Sequence, residues 1–529
     1  MTQGYLALIL HAHLPFVRHP EHAQFLEERW LFEALTECYI PLLLRWERLA
    51  EEGIPFRLTC SLSPTLLSML TDELLQTRYL AHLQRLIELS ERELARTQHE
   101  PVFHRLAQLY HEQFTAALHF FETRCQRDLT RAFRALKDAG YLELIACGAT
   151  HAYLPLFALY PPAIRAQIAV GVMTHRRLFG DSPHGLWLPE CGYHPEQDAL
   201  LREYDIQYVI TDAHALLFGT PRPQYGVYAP VACPSGVVAF GRDPESSKSV
   251  WSATEGYPGD PVYRDFYRDV GFDLEYDYVR PYLDGDGQRV STGVKYYRIT
   301  GPTPHKEPYV PERATERAAV HAGNFLFSRQ RQADYLSRVM GKPPIIVSPY
   351  DAELFGHWWF EGPEWLEVLL RKIARAPETI QLITPHEFLT QHTQPQVLTP
   401  ALSSWGYQGY SEMWLCAENA WIYRHLHHAT ARMIASATAH RAANGHVARA
   451  LTQMARELLL AQSSDWPFML KTGTFASYAT RRVTEHLDRF TRLAEQVQRQ
   501  QVDEQWLTWL EATDGVFPEL DYHLYADAH

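Results

Sequence analysis

The chain has 529 residues, 46% hydrophobic and 21% charged. Those proportions belong to a globular chain and exclude a fibrous or largely disordered one. Lys and Arg total 49 against 62 Asp and Glu, a formal charge of −13; phosphate recognition needs clustered cations, so the expectation is no nucleic-acid partner and no anionic membrane.

No run reaches the ~20 apolar residues that span a bilayer. The opening MTQGYLALILHAHLPF has no basic leader and its apolar run ends in histidines, so it reads as a buried strand and not a signal peptide. The cysteines are Cys38, Cys60, Cys125, Cys147, Cys191, Cys233 and Cys416. Their number is odd and no CxxC occurs, which argues against a disulfide framework or a zinc knuckle and for a reducing, cytoplasmic location. Aromatics reach 12%, with 13 Trp and 29 Tyr, a hint of a groove that stacks rings.

In chain order, buried strands are predicted at 5–10 (YLALIL), 56–60, 142–147, 185–188, 207–210, 344–347 and 380–383, with helical spacing between them over 30–49, 163–179 and 195–204. Alternating buried strands and helices imply a parallel sheet, and this many repeats favour a closed α/β barrel. Residues 71–136 are charge-rich and helical throughout, the pattern of a helical insertion. The 219–310 stretch is irregular and rich in Gly, Pro, Tyr and Asp, as expected of active-site loops, with room for a further short strand in 227–240. From 396 the pattern is helical to residue 529. The expected division is a catalytic unit over 1–395 and a C-terminal helical domain over 396–529, the latter contributing to a ligand cleft.

Polar residues punctuate the strand ends. YLALIL runs into His11 and His13; LELIAC into Gly148, Thr150 and His151; GLWL into Pro189, Glu190 and Cys191; QYVI into Asp212; PIIV into Tyr350 and Asp351. In a barrel the C-terminal strand ends build one mouth. Glu190 and Asp351 both sit among aromatics there. Glycosidic bond cleavage needs two carboxyl groups, one to attack the anomeric carbon and one to protonate the leaving oxygen. Apolar surroundings raise a carboxyl pKa enough to keep the acid protonated near neutrality. A strand-end carboxylate is also an ordinary salt-bridge or capping group.

HAHLP (11–15), GATHAYLPL (148–156), WLPECGY (187–193) and SPYDAELFGHWW (348–359) resemble, in this order, the motifs of glycoside hydrolase family 57. SSWGYQGYSEMWL (403–415) and SSDWPF (463–468) resemble the branch of that family that contains 1,4-α-glucan branching enzymes. The resemblance runs over nearly the whole chain. It implies a (β/α)7 barrel with a helical insertion and a C-terminal α-helical domain, a retaining mechanism on an α-glucan substrate, no metal and no other cofactor. It places the nucleophile at Glu190 and the acid/base at Asp351. It also places a tyrosine of a loop over the site within 219–310, with Tyr225 and Tyr228 among the candidates.

The resemblance sets His11, His13 and His151 against sugar hydroxyls. From residue type alone, an HxH after a first strand also fits a metal-dependent deacetylase, or plain structural hydrogen bonding. Cys191, beside Glu190, fits packing better than nucleophilic attack. Trp30, Trp251, Trp358, Trp359, Trp405, Trp414 and Trp466 are candidate sugar platforms, any one of which can equally be core. The resemblance favours Trp405 and Trp414, and adds Asp465 and Arg264 as substrate contacts; a helix cap and a surface salt bridge are their alternatives. With the same carboxyl pair, an α-amylase-like hydrolase or a 4-α-glucanotransferase is the alternative activity. A monomer is the expected state.

Overall fold

The computed structural model describes residues 4–283 and 287–526. Residues 284–286, within the 219–310 stretch, lie outside the described residues. Seven strands form the wall: β1 (Tyr5–Ala12), β2 (Leu58–Leu62), β3 (Leu142–Cys147), β4 (Gly185–Trp187), β5 (Tyr208–Thr211), β6 (Val238–Gly241) and β7 (Ile345–Asp351). Their order is β6-β5-β4-β3-β2-β1-β7, all neighbours parallel. The Asp243 N–H, just past β6, donates to the Val347 carbonyl of β7 at 2.8 Å and joins the outer strands. The chain is thus of the α/β class with a curled wall of seven parallel strands, as expected.

One strand differs from expectation. The 380–383 run contributes only Gln381–Leu382, paired with Tyr5 and Leu6 at the start of β1. Its place in the wall is taken by β6, which falls at the end of the 227–240 stretch expected to have room for a further short strand. A four-residue strand entered from a left-handed Gly236 (φ 91°) is too short to stamp a periodicity on the sequence.

The pleat sorts side chains by parity. Tyr5, Ala7, Ile9, Ile145, Cys147, Tyr208, Ile210, Val238, Phe240, Ile345 and Val347 fill the barrel interior. The alternate Leu6, Leu8 and Leu10 pack outward into the largest core, under the helices. Close packing is explicit at Gly171 of the helix Pro161–Phe179, where a Cβ would lie 2.0 Å from the Cys147 carbonyl. All seven cysteines are free thiols.

The insertion consists of the helices Glu73–Arg96, Pro101–His119 and Thr130–Asp138. Beyond the barrel lie Ala420–Ala439, Gly445–Ala461, Asp465–Thr472, Ala476–Arg499 and Glu504–Thr513. Residues 396–419 precede this helical region and are wound onto the barrel: Gln396–Val397 pairs with Val231–Ala232, which in turn pairs antiparallel with β6. Among the described residues no helix is long and apolar enough to cross a membrane.

Candidate active site

The ends of β1, β3, β4 and β7 carry the polar groups, and local backbone geometry aims them. His11 lies on β1, paired in register with Asp351 of β7. Just past β4, Glu190 (φ 60°) and Cys191 (φ 49°) both adopt left-handed backbone, as does His151 (φ 57°) after β3. Such conformations cost about 1–3 kcal/mol each and concentrate where function demands them. Gly192 follows because a Cβ there would meet the Tyr153 ring at 2.6 Å.

Glu190 is held at both oxygens. Trp405 Nε1 donates to Oε2 at 2.7 Å, and Ser464 Oγ donates to Oε1 at 3.1 Å. Burial raises the Glu190 pKa, partly offset by the Trp405 bond. Asp351 differs. Among the described residues nothing donates a hydrogen bond to its carboxyl, and burial, with the charges of Glu353 and Glu190 added, lifts its pKa well above the carboxylate range. The Glu190 charge adds to the Asp351 shift, so the two carboxyl groups lie within electrostatic reach of each other.

The histidines form one network. His11 Nε2 and His151 Nε2 share a hydrogen bond of 2.9 Å; His11 Nδ1 meets Ser61 Oγ at 3.1 Å and His151 Nδ1 meets Ser464 Oγ at 2.8 Å. His11 stacks on Trp187 with centroids 4.5 Å apart, and His13 on His151 at 3.9 Å. Burial drives the His11 and His151 pKa values well below 6.5, so both rings are neutral. His11, Cys147 and His151 do offer ligand atoms within 4.8 Å of one another, but the facing imidazole nitrogens are spent on each other.

His13 bridges the two regions of the chain. Its Nδ1 meets Ser63 Oγ at 2.8 Å and its Nε2 meets Asp465 Oδ2 at 3.0 Å. Burial works to raise the Asp465 pKa, yet His13 outweighs it and holds the carboxyl below its ordinary value. Asp465 opens the helix Asp465–Thr472, and its carboxylate serves His13 and Ser463 in place of the capping role open to it in sequence.

Behind Asp351, a π-helical turn at Leu35–Tyr39 precedes Pro41 and swings side chains towards the β7 motif. Tyr39 donates to Glu353 Oε1, which also accepts the His13 backbone N–H at 3.1 Å. Glu37 receives His357 Nδ1 at 2.8 Å.

The structure brings Glu190, Asp351, His11, His13, His151, Trp405 and Asp465 to one place. Trp358 is 57% exposed and stacks on Phe266. Trp30 packs edge-on against Phe475 and Tyr478. Arg264 is buried, donating to Tyr110 Oη at 3.2 Å with its guanidinium over Phe360; it is no surface salt bridge. Trp414 is 1% exposed and stacked on Tyr153 at 4.3 Å. The open face required of a platform is absent, and the ring instead packs beneath Gly406, where a Cβ would meet it at 2.6 Å. Trp359 and Trp466 are likewise core. Cys191 is fully buried, with its thiol pKa pushed well up by burial, the state of a packing residue.

Tyr225 and Tyr228 are not over the mouth. The Tyr228 carbonyl accepts from Ile345 at the start of β7, and Tyr225 shares a pocket with Phe388, which packs on Tyr5 at the start of β1. Both therefore lie at the opposite end of the barrel, because 223–232 serves the hairpin to β6. Sequence reasoning passed over Ser61, Ser63, Ser464, Tyr39 and Glu353. Glu353, two residues after Asp351, and Ser464, inside SSDWPF, stood within motifs already marked.

The glycosyl hydrolase family 57 profile matches residues 7–401. The chain is a member of this family. A second profile, for the C-terminal part of 1,4-alpha-glucan branching enzymes, matches residues 425–525. Among solved structures the family 57 fold is shared with the alpha-amylase AmyC from Thermotoga maritima (44% identity, TM-score 0.93, 99% of each chain). It is shared too with a branching enzyme from Thermococcus kodakaraensis, solved in complex with glucose (32% identity, TM-score 0.89, 100% of this chain and 97% of that one). A probable 1,4-alpha-glucan branching enzyme of Mycobacterium tuberculosis is 30% identical over 91% of this chain and 90% of its own. This family 57 chain is a glucan-active, carbohydrate-processing enzyme.

Proposed function

We propose that the protein is a retaining 1,4-α-glucan branching enzyme. Glu190 attacks C1 of a 1,4-linked glucosyl unit while Asp351 protonates the departing O4, and a glycosyl ester forms on Glu190. Asp351, now a carboxylate, takes the proton of an acceptor 6-hydroxyl as that oxygen attacks C1. The ester breaks, leaving a 1,6 branch with net retention. The contrast between the two carboxyl groups supports this division. Glu190 has two donors that favour its ionised, attacking form, whereas Asp351 has none and is held protonated by burial and by like charge. His11, His13 and His151 are assigned to the sugar around C1; their ring nitrogens are bonded to Ser61, Ser63, Ser464, Asp465 and each other, so a sugar hydroxyl takes the place of one of these partners when it binds. No cofactor is assigned.

The observation that supports branching is the profile match of the C-terminal region, since the region itself is shared with AmyC, which matches 99% of this chain. The region's sequence matches that part of branching enzymes over 425–525, and it supplies Ser463, Ser464 and Asp465 to the site. We assign residues 1–395 as the catalytic unit and 396–529 as the unit that completes the cleft and shields the ester from water. Hydrolysis is the second reading, favoured by the likeness to AmyC. Proton NMR of the products from pure amylose decides: new 1,6 linkages are expected, and release of linear maltooligosaccharides alone would establish the hydrolase. Free thiols throughout the chain support a reducing, cytoplasmic setting, and a monomer acting on an α-glucan is the proposed working unit.

A further inference from the structure

Outside the mouth lies a groove of about 570 Å³ whose walls include Trp251, Phe266, Tyr267, Leu354 and Trp358. That volume falls in the range of small-molecule sites. Three of its aromatics face solvent without a covering element: Trp251 is 46%, Trp358 57% and Tyr267 83% exposed. One face of Trp358 is backed by Phe266, with centroids 4.6 Å apart and planes at 22°. Ring clusters this exposed mark a binding surface.

The charges of the groove select the ligand class. Each cation lining it is already engaged. Arg264 is bonded to Tyr110 Oη at 3.2 Å, Arg268 to Asp273 at 2.8 Å, and Lys306 to Asp265 at 3.1 Å. Carboxylates meet the Arg268 and Lys306 charges, and Arg264 is buried, so among the described residues the groove offers an anion little exposed positive charge. Flat rings flanked by an ion pair, which can both donate and accept, suit a neutral ligand with apolar faces and hydroxyl edges, the surface of a pyranose.

The groove adjoins the active site. Trp251 lies 6.2 Å from the Trp405 ring, whose Nε1 holds Glu190. Leu354 of its wall lies three positions beyond Asp351. We infer that this groove is a distal subsite for an α-glucan chain, gripping glucosyl units remote from the reacting bond through Trp358 and Tyr267. The inference rests on the glucan-active reading above and extends it to chain-length selection.

The test uses the full chain carrying Trp358→Ala or Tyr267→Ala, both exposed enough to spare the fold. For each, KM for long amylose is expected to rise about tenfold, the loss of one stacked ring, while kcat and KM for a short aryl maltoside stay at the wild-type values. Binding is read separately in Glu190→Gln: maltoheptaose should quench tryptophan fluorescence, and Trp358→Ala in that background should remove the quench. Wild-type KM values for amylose in both variants would overturn the subsite. So would displacement of a bound hydrophobic dye by an apolar peptide but not by maltoheptaose. If wild type fails to process any α-glucan while Glu190→Gln still binds maltoheptaose through Trp358, the catalytic reading fails and the subsite stands.

Discussion

Trp405 is tied to Glu190 at two points: its indole Nε1 donates to the Glu190 carboxylate at 2.7 Å, and its backbone N–H donates to the Glu190 carbonyl at 2.9 Å. The backbone bond fixes the loop and the indole bond fixes the charge, so the two functions are separable by mutation. Trp405→Phe keeps the first and deletes the second. The indole bond is what most lowers the Glu190 pKa against burial, so its loss raises that pKa further. Activity that requires ionised Glu190 then fades at a higher pH on the acid side. The expected result is a kcat/KM profile whose acid limb moves up, with kcat down by about 10²–10³-fold; an unmoved limb would show that the bond does not tune the attacking group.

Asp351 gives the opposite limb. In the proposed mechanism it acts protonated, so activity is expected to be lost as pH rises through its elevated pKa. Asp351→Asn should abolish that alkaline limb and cut kcat on amylose by about 10²–10⁴-fold. α-Maltosyl fluoride needs no protonation on leaving, so its first step should be largely restored in the variant. Glu190→Gln should be inactive on both substrates. Full turnover by either variant on amylose would remove the pair from the chemistry.

His13 and Asp465 are expected to act as a unit. Their 3.0 Å contact joins β1 to the C-terminal helices, so a double-mutant cycle of His13→Ala and Asp465→Asn on kcat/KM should give a coupling of about 0.5–3 kcal/mol. Additive losses would mean that each group meets substrate independently.

Much of this was legible in the residues. Strands that pair along their whole length, such as β1 and β3, announce themselves by unbroken apolar runs, and the polar residues at their ends pointed to His11 and His151; Glu190 follows the shorter β4. Asp351 was found the same way, although β7 runs on through Ser348-Pro349-Tyr350 to include it. What stayed hidden depends on partners distant in the chain. Ser464 touches Glu190 across 274 positions, and no local pattern encodes that. The π-helical turn that aims Tyr39 leaves the helical spacing of 30–49 almost unchanged. Trp405 and Trp414 lie in one motif with like neighbours, yet one faces the cavity and the other the core, a difference decided by packing.

Glu361 offers a stability test away from the chemistry. Burial lifts its pKa from 4.5 to about 7, with only partial relief from Tyr309 and the Arg264 backbone N–H. The folded chain therefore holds a proton that the unfolded chain releases. That contribution is complete below the unfolded value of 4.5 and is lost as pH climbs through about 7, a swing of up to about 3 kcal/mol. Glu361→Gln should flatten the decline in the urea midpoint between pH 5 and about 8. An unchanged slope would assign the decline to other groups.

The left-handed turn at Glu190 is braced by a serine that the ribosome adds hundreds of residues later. A nascent chain can complete the barrel wall at β7 before either donor to Glu190, Trp405 or Ser464, has been added, with His13 awaiting Asp465. Vectorial synthesis thus leaves the carboxyl group at this turn without its partners until the C-terminal helices dock.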